Sequence, residues 1–250
     1  LGRGAGKGRA LLHLDTGMTR LGLRAPDVAA LARRRELLDA LSLDFVVTHL
    51  ACADEPEHPM NAEQLARFAE MRAIVPHVRT SIGNSAGTLL DAAHRGDLAR
   101  PGIALYGGNP FSDRPNPMEA VVTLTAPILQ LHEVGEPEPV GYGATYVAAP
   151  PAPVAIVGIG YADGYPRNLG NAGTAAVQGT RVPVVGRVSM DLISVDVTGV
   201  PRENVEVGGA VELIGPTVGV DEVAGAAGTI SYEILTGLGR RLAREYVEDD

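Results

Sequence analysis

The sequence predicts an α/β domain followed by an all-β domain. From residue 10 to residue 107, short apolar runs alternate with amphipathic segments, and an alternation of this length is typical of parallel strands joined by helices. Pro110, Pro115 and Pro117 then form a linker. Beyond it, valine-rich runs are broken by glycine and proline at short spacing, which favours an all-β structure. We therefore predict domains at 1–116 and 117–250.

The first domain contains four predicted strands with helices between them, and such a string implies a parallel sheet, open or closed. The predicted strands are 10–14, 45–50, 78–83 and 103–106, and the predicted helices are 25–40, 61–74 and 86–93.

The second domain contains six predicted strands of a sandwich or barrel and a closing helix. The strands are 120–130, 154–159, 175–177, 182–185, 192–197 and 211–214, and the helix is 232–246.

The composition restricts the function classes. A net charge of −9 with no basic cluster argues against nucleic acid as a partner, because phosphate neutralisation requires a face of lysine and arginine. No apolar run is long enough for a membrane helix, and no metal site is expected. The lone cysteine, Cys52, fits a reducing compartment. These observations predict a cytoplasmic protein with a small-molecule ligand.

Polar residues follow the predicted parallel strands. Residues 15–20 follow the first strand, Thr48 and His49 end the second, residues 83–87 follow the third, and residues 100–102 lead into the fourth. Because reactive residues of parallel α/β domains lie at the carboxyl ends of the strands, these segments predict one shared site.

A phosphate site is one interpretation of the segment around Ser85. Small residues and free amides at the start of a helix bind phosphate, although Ser85 would equally serve as a helix cap. Gly102 and Ile103 offer a second set of backbone donors. Paired donors after two adjacent strands are typical of the last two strands of a (β/α)₈ barrel, which would make these four strands the fifth to the eighth.

Eight blocks of sequence resemble, in order, the signature blocks of the alanine racemases, which are pyridoxal 5'-phosphate (PLP) enzymes of fold type III. The resemblance covers the C-terminal two-thirds of that family and implies the second half of a PLP-binding (β/α)₈ barrel followed by a C-terminal β domain. The blocks are 15–22, 48–54, 84–85, 100–107, 141–146, 160–165, 185–191 and 230–233.

The resemblance also implies a set of PLP-binding residues. His49 and Arg100 match residues that link the catalytic tyrosine to the pyridine nitrogen, and Ser85, Gly102, Ile103 and Tyr232 match the phosphate ligands. The full implied set is His49, Asn84, Ser85, Arg100, Gly102, Ile103 and Tyr232.

For the substrate, Tyr142 matches the tyrosine that exchanges the α-proton of alanine, and Arg20 matches an arginine that orients the carboxylate. Tyr161, Met190 and Asp191 match residues of the substrate channel and carboxylate contact. Methionine near strands is otherwise a common core residue, so packing remains an alternative for Met190. In this family, Tyr142, Tyr161 and Met190 reach the barrel of the other subunit, which implies a homodimer with a shared active site.

Two positions depart from the family pattern. His13 stands where the family often has a carbamylated lysine, so something else must orient Arg20. The family's Schiff-base lysine lies on the first barrel strand, whereas Lys7, the only lysine of this sequence, lies in a glycine-rich segment before the first predicted strand. We therefore expect this chain to be a fragment, or a gene with a misassigned start, and to be inactive alone.

Three functions remain open from the sequence. The first is an alanine racemase that interconverts L-alanine and D-alanine for peptidoglycan synthesis. The second is a non-catalytic PLP-binding or scaffold protein of the same family, and the third is a racemase of another amino acid such as serine. Tyr142 and Arg20 favour an enzyme, because a protein that only bound the cofactor would need neither.

Overall fold

The computed structural model describes residues 8–247, and the predicted segment around Lys7 lies outside them. The chain divides into two compact units. Unit 1 comprises Leu1–Leu105 and Asn109–Pro117, and unit 2 comprises Tyr106–Gly108 and Met118–Asp250. Between residues 8 and 247, no helix combines the length and the apolar character that crossing a membrane requires.

Unit 1 contains a parallel sheet of β1 (Gly8–His13), β2 (Leu41–Val47) and β3 (Arg79–Ser81), in the order β1-β2-β3. At the last register positions, Val47 pairs with both His13 and Ser81. The three carboxyl ends therefore meet at one edge of the sheet, as the strand-helix alternation predicts.

Five helices accompany this sheet: α1 (Ala25–Ala32), α2 (Arg35–Asp39), α3 (Pro59–Arg72), α4 (Ser85–Leu90) and α5 (Ala92–Arg95). The prediction of single helices at 25–40 and 86–93 is wrong. In the first case Arg34 leaves helical geometry, with φ −112° and ψ 65°. In the second, Asp91 is extended and its carboxylate caps the amides of Ala93 and His94.

The predicted strand at 103–106 is also wrong, because Ile103–Tyr106 forms a 3₁₀-helix. The backbone turns there because the amide of Leu105 donates to the carbonyl of Gly102, at 3.0 Å. The amides of Gly102 and Ala104 both donate to Ser85 Oγ. An apolar segment is thus held in a turn by a side chain from the first residue of α4, which periodicity alone does not reveal. Within the described residues the parallel sheet has three strands.

Unit 2 is a closed antiparallel barrel with the strand order β10-β7-β4-β11-β8-β9, which confirms the prediction of a C-terminal β domain. A hairpin of β5 (Glu138–Val140) and β6 (Tyr146–Ala148) was not predicted. The barrel strands are β4 (Leu124–Val134), β7 (Ala152–Val157), β8 (Thr174–Val177), β9 (Thr180–Val185), β10 (Ile193–Asp196) and β11 (Ala210–Ile214).

The core of unit 2 is made mainly of valine, leucine and isoleucine from the inner faces of these strands, and α6 (Val220–Ala227) and α7 (Ser231–Gly237) pack against it. The closing helix predicted to reach residue 246 ends at Gly237. Leu238 is extended, and the amide of Gly239 donates to the carbonyl of Asp163 at 2.7 Å. That bond to another loop takes the place of the next helical turn.

Candidate active site

Hydrogen bonds to Asp15 hold the loop after β1 in its conformation. Its carboxylate accepts hydrogen bonds from the amides of Gly17, at 3.1 Å, and Thr19, at 3.0 Å. Burial alone would raise the pKa of Asp15, but these amides and the charge of Arg24 together lower it below its ordinary value. Gly22 closes the loop at φ +105°, and a Cβ there would lie 2.9 Å from the backbone of both His13 and Asp15. The loop presents Arg20 to solvent.

The half-buried guanidinium of Arg100 is held at the sheet edge by backbone and hydroxyl oxygens. It donates to Thr48 O at 2.6 Å, to Ile82 O at 3.2 Å and to Ser81 Oγ at 2.5 Å. Its Nη2 also lies 3.5 Å from His49 Nδ1. Arg100 is therefore fixed by the carboxyl ends of two neighbouring strands and placed beside His49, as the resemblance implies.

Two histidines and two arginines share this edge of the sheet. Burial lowers the pKa of His49, and the positive charges of Arg100, Arg20 and His13 lower it further. The pKa of His13 is also lowered, first by burial and then by Arg100, although Asp15 opposes the shift. Among residues 8–247, no carboxylate forms an ion pair with Arg20 or Arg100. This edge is accordingly suited to an anionic ligand.

The two loops predicted to hold a phosphate meet at Ser85. Asn84 caps α4, since its side chain accepts from the amide of Gly87 at 3.0 Å. Ser85 is therefore not the cap; its buried Oγ accepts from the amide of Gly102 at 2.7 Å instead. A Cβ on Gly102 would find no atom nearer than Ser85 Oγ, at 3.9 Å. The glycine thus leaves open space beside the Ser85 hydroxyl, which accepts from backbone amides and keeps its own hydrogen to donate to the phosphate of PLP.

Tyr142 stands on a turn of unit 2. It opens the 3₁₀ segment Tyr142–Ala144 between β5 and β6, and Gly141 and Gly143 on either side of it have positive φ. Its side chain is 72% exposed. A Cβ on Gly143 would lie 3.1 Å from the guanidinium carbon of Arg187, so the sequence pattern missed an arginine that adjoins this turn.

Tyr161 and Met190 lie on two turns that are bonded to each other through the backbone. The amide of Tyr161 donates to Ser189 O at 3.1 Å, and that of Ala162 donates to Met190 O at 2.9 Å. A Cβ on Gly160 would lie 2.4 Å from both of these carbonyl oxygens, so this approach requires glycine. Met190 is 54% exposed, and the alternative that it fills the core is therefore wrong.

Asp191 and Tyr232 are also on the surface of unit 2. Asp191 is paired with Arg241 Nη1 at 2.7 Å, and the Nε of the same arginine lies 3.1 Å from the buried carboxylate of Asp163. Tyr232 is in the first turn of α7. Arg241 belongs to no sequence pattern, because Asp163 and Asp191 lie far from it in the sequence and only the fold brings the three together.

Models of two family domains match this chain. "Alanine racemase, N-terminal domain" matches residues 3–110, and "Alanine racemase, C-terminal domain" matches residues 121–246. The chain belongs to the alanine racemase family. The two matches extend over both units, and every predicted site residue lies within one of the matched ranges. Those of unit 1 are Arg20, His49, Asn84, Ser85, Arg100, Gly102 and Ile103, and those of unit 2 are Tyr142, Tyr161, Met190, Asp191 and Tyr232.

Relatives of known name agree with this family. The chain is 50% identical to an alanine racemase of Rhodospirillum rubrum over 98% of its own length and 65% of that protein. It is 44% identical to a catabolic alanine racemase of Agrobacterium fabrum, over 96% of its own length and 62% of that protein. The chain thus spans just under two-thirds of the length of these curated relatives.

A solved structure of the family shares the fold. The crystal structure of alanine racemase from Bartonella henselae with covalently bound pyridoxal phosphate superposes with a TM-score of 0.88 at 38% identity. The alignment covers 96% of this chain and 66% of that one.

Proposed function

We propose that this chain forms part of a PLP-dependent alanine racemase that interconverts L-alanine and D-alanine. The observation that carries the proposal is the placement of Arg100 beside His49, without a carboxylate partner among residues 8–247, in a chain 50% identical to a named alanine racemase. We further propose that residues 1–116 are the second half of a (β/α)₈ barrel, and that the enzyme is cytoplasmic.

In this proposal, the backbone amides of Gly102 and Ile103 and the hydroxyls of Ser85 and Tyr232 bind the phosphate of PLP, with Asn84 shaping the loop. PLP would supply stabilisation of the negative charge left at the α-carbon when alanine loses its proton. Arg100 would hold the pyridine nitrogen. Because a guanidinium does not release its proton under these conditions, Arg100 would leave that nitrogen largely unprotonated.

The remaining residues act on the substrate. Arg20 and Met190 bind the carboxylate of alanine, and Tyr161 and Asp191 line its approach. Tyr142 moves the α-proton on one face of the substrate. A phenol has an ordinary pKa of about 10, so a tyrosine base needs positive or donor groups nearby. His49 and Arg100 would supply them in a homodimer, in which Tyr142, Tyr161 and Met190 reach the barrel of the second subunit.

The opposite face of the substrate requires a lysine, which we propose lies in the part of the relatives that this chain does not match. For the physiological role we propose peptidoglycan synthesis, and the name of the Agrobacterium fabrum relative, a catabolic alanine racemase, adds a catabolic role as a second candidate. Serine remains a second candidate substrate, since Tyr142 and Arg20 would act on any small α-amino acid.

The test is a polypeptide in which the unmatched part of the Rhodospirillum rubrum relative precedes this chain. We expect it to bind PLP and to produce D-alanine from L-alanine, and to lose that activity when the lysine of the added part is replaced by alanine. Serine is assayed alongside. A folded, PLP-bound polypeptide that exchanges no α-proton of either amino acid would instead support the scaffold function.

A further inference from the structure

One polar side chain of unit 1 is completely buried and has no role in the proposed chemistry. Gln64, on α3, has 0% of its surface exposed. Its Oε1 accepts from the amide of Ala51 at 2.8 Å, and its Nε2 donates to His49 O and to Thr16 Oγ1, both at 3.0 Å. A buried amide with both donors and its acceptor in use is held in a single orientation.

The partners of Gln64 lie at the carboxyl ends of two strands. Thr16 follows β1, and its Oγ1 lies 2.7 Å from Thr48 Oγ1 at the end of β2. The carbonyl of Thr48 in turn accepts from Arg100. Gln64 is thus connected to His49 directly, and to Arg100 through two buried threonines.

The bonds of Gln64 require an amide of this length. The carbonyl of His49 needs a donor, whereas the amide of Ala51, two residues on, needs an acceptor. One planar group satisfies both only if it carries an N–H and a C=O side by side. An apolar side chain would leave both backbone groups unpaired in the interior, where each unpaired group is costly.

We propose that Gln64 is a positioning residue, which fixes the backbone on both sides of His49 and thereby holds the imidazole next to Arg100. The contacts of Gln64 carry this inference. It rests on the proposed function only for the role of His49 in racemisation.

Asn61 provides a matched control on the same helix. It is also buried, at 3% exposure, and its Nδ2 donates to the carbonyls of Glu55 and Pro56 at 3.0 and 3.3 Å. Asn61→Leu therefore removes two donated hydrogen bonds from α3 to a neighbouring loop, whereas Gln64→Met removes two donated bonds and one accepted bond. The bonds lost in Asn61→Leu do not involve the backbone at His49.

The first measurement is the NMR titration of the His49 ring in protein without PLP, assigned with His49→Asn. The charged groups facing this ring are Arg100, Arg20 and His13. In Gln64→Met the ring should leave its buried place beside Arg100, and the His49 pKa should rise towards its ordinary value. In Asn61→Leu the His49 pKa should be the same as in the unchanged protein.

The proposal is overturned if His49 titrates in folded Gln64→Met as in the unchanged protein, or if Asn61→Leu shifts it equally. Should Gln64→Met fail to fold, Gln64→Asn replaces it, because its shorter amide loses the same contacts while water can satisfy it. None of these outcomes depends on racemase activity.

A second measurement applies to the racemising polypeptide described above. Displacing a group at a reacting centre by a small distance lowers the rate more than binding. Gln64→Met should therefore reduce kcat by about tenfold or more, with KM for alanine changed by less than about twofold. An unchanged kcat would contradict the positioning role even if the racemase function holds.

Discussion

Arg100 and His49 in unit 1 are half-buried and held by hydrogen bonds from side chains to strand ends. Tyr161 and Met190 in unit 2 are exposed, on turns that the backbone itself holds together. The two units fix their proposed functional residues by different means. In unit 1 the side chains proposed to bind the ligand are also the ones that hold the loops, whereas in unit 2 they are separate.

This difference leads to a general expectation about how substitutions affect stability and ligand binding. In unit 1 a change at a site residue should alter stability and ligand binding together. In unit 2 a change at a site residue should leave stability intact, and the sensitive positions should be the glycines that permit the close approach of the turns.

Arg100→Met should have the largest effect. It removes the donor from Thr48 O, Ile82 O and Ser81 Oγ. A hydrogen bond to a charged group contributes a net of roughly 1.5–3 kcal/mol, and water can replace some of the bonds of a half-buried group, so we expect a loss of about 3 kcal/mol. Hydrogen exchange, followed separately for the amides of the two units, would measure this loss of stability in each unit. Exchange should quicken in unit 1 and not in unit 2.

The control for Arg100→Met is Arg34→Met, an exposed arginine of unit 1 paired with Glu36. Exposed ion pairs contribute about 0–1 kcal/mol. Equal losses in the two variants would mean that the strand-end contacts of Arg100 do not hold the loops of unit 1.

Gly160→Ala should have the next largest effect. Its Cβ would lie 2.4 Å from the carbonyl oxygens of Ser189 and Met190, so the two turns must separate. We expect a destabilisation of about 2 kcal/mol, in the range of overpacking substitutions, and faster exchange of the amides of Tyr161 and Ala162. Thermal and denaturant unfolding give the free energy.

Gly225→Ala is the matched control in the same unit. Gly225 lies in α6, and a Cβ there would meet nothing within 4 Å. Alanine in place of an exposed helical glycine stabilises a helix by up to about 1 kcal/mol. If Gly160→Ala were equally harmless, the approach of the two turns would not depend on glycine.

The same contrast explains which features the sequence could predict. The strand-helix alternation predicts the parallel sheet of unit 1, and the carboxyl-end rule predicts that His49, Ser85 and Arg100 gather at one edge, because both depend on local periodicity. The 3₁₀-helix at Ile103–Tyr106 could not be predicted in this way, since Ser85 Oγ, from the first residue of α4, holds it in place.

Gln64 and Arg241 illustrate the other limit of sequence patterns. Gln64 occupies a buried position of an amphipathic helix, and its partners lie up to 48 residues away in the sequence. Arg241 follows a helix that ends early, and it pairs with Asp191 from a turn 50 residues away. Neither residue belongs to a local motif, so only the assembled fold shows what each contacts.

A third prediction concerns pH and unit 1. The pKa values of His13 and His49 are lowered from an ordinary value of 6.5, mainly by burial. Below that ordinary value the unfolded chain binds protons that the folded unit does not, so stability is fully present above it and decreases as the pH falls further. The protection factors of the unit 1 amides, which are exchange rates corrected for the intrinsic rate at each pH, should therefore fall on acidification, by less than in Arg100→Met.

Replacing both histidines with glutamine tests the origin of that pH dependence. The double variant should lose a clear part of the acid sensitivity of unit 1, because its amides do not titrate. Should the sensitivity remain unchanged, other groups at the strand ends must take up the protons, and the lowered pKa values of His13 and His49 would not describe the protein.

Tyr142→Phe should have the smallest effect on stability and yet a large effect on function. Because the side chain is 72% exposed on its turn, removal of the hydroxyl should change the free energy of unfolding by less than about 0.5 kcal/mol.

In the racemising polypeptide, the loss of a general base in Tyr142→Phe should lower the rate by about a hundredfold or more in the direction that needs the tyrosine to take the proton. The two directions are separated by following exchange of the α-proton from L-alanine and from D-alanine in deuterated water. PLP should remain bound, since its proposed ligands in unit 1 are untouched. Loss of stability would contradict the separation of site and scaffold in unit 2, whereas full exchange from both enantiomers would show that Tyr142 is not the base.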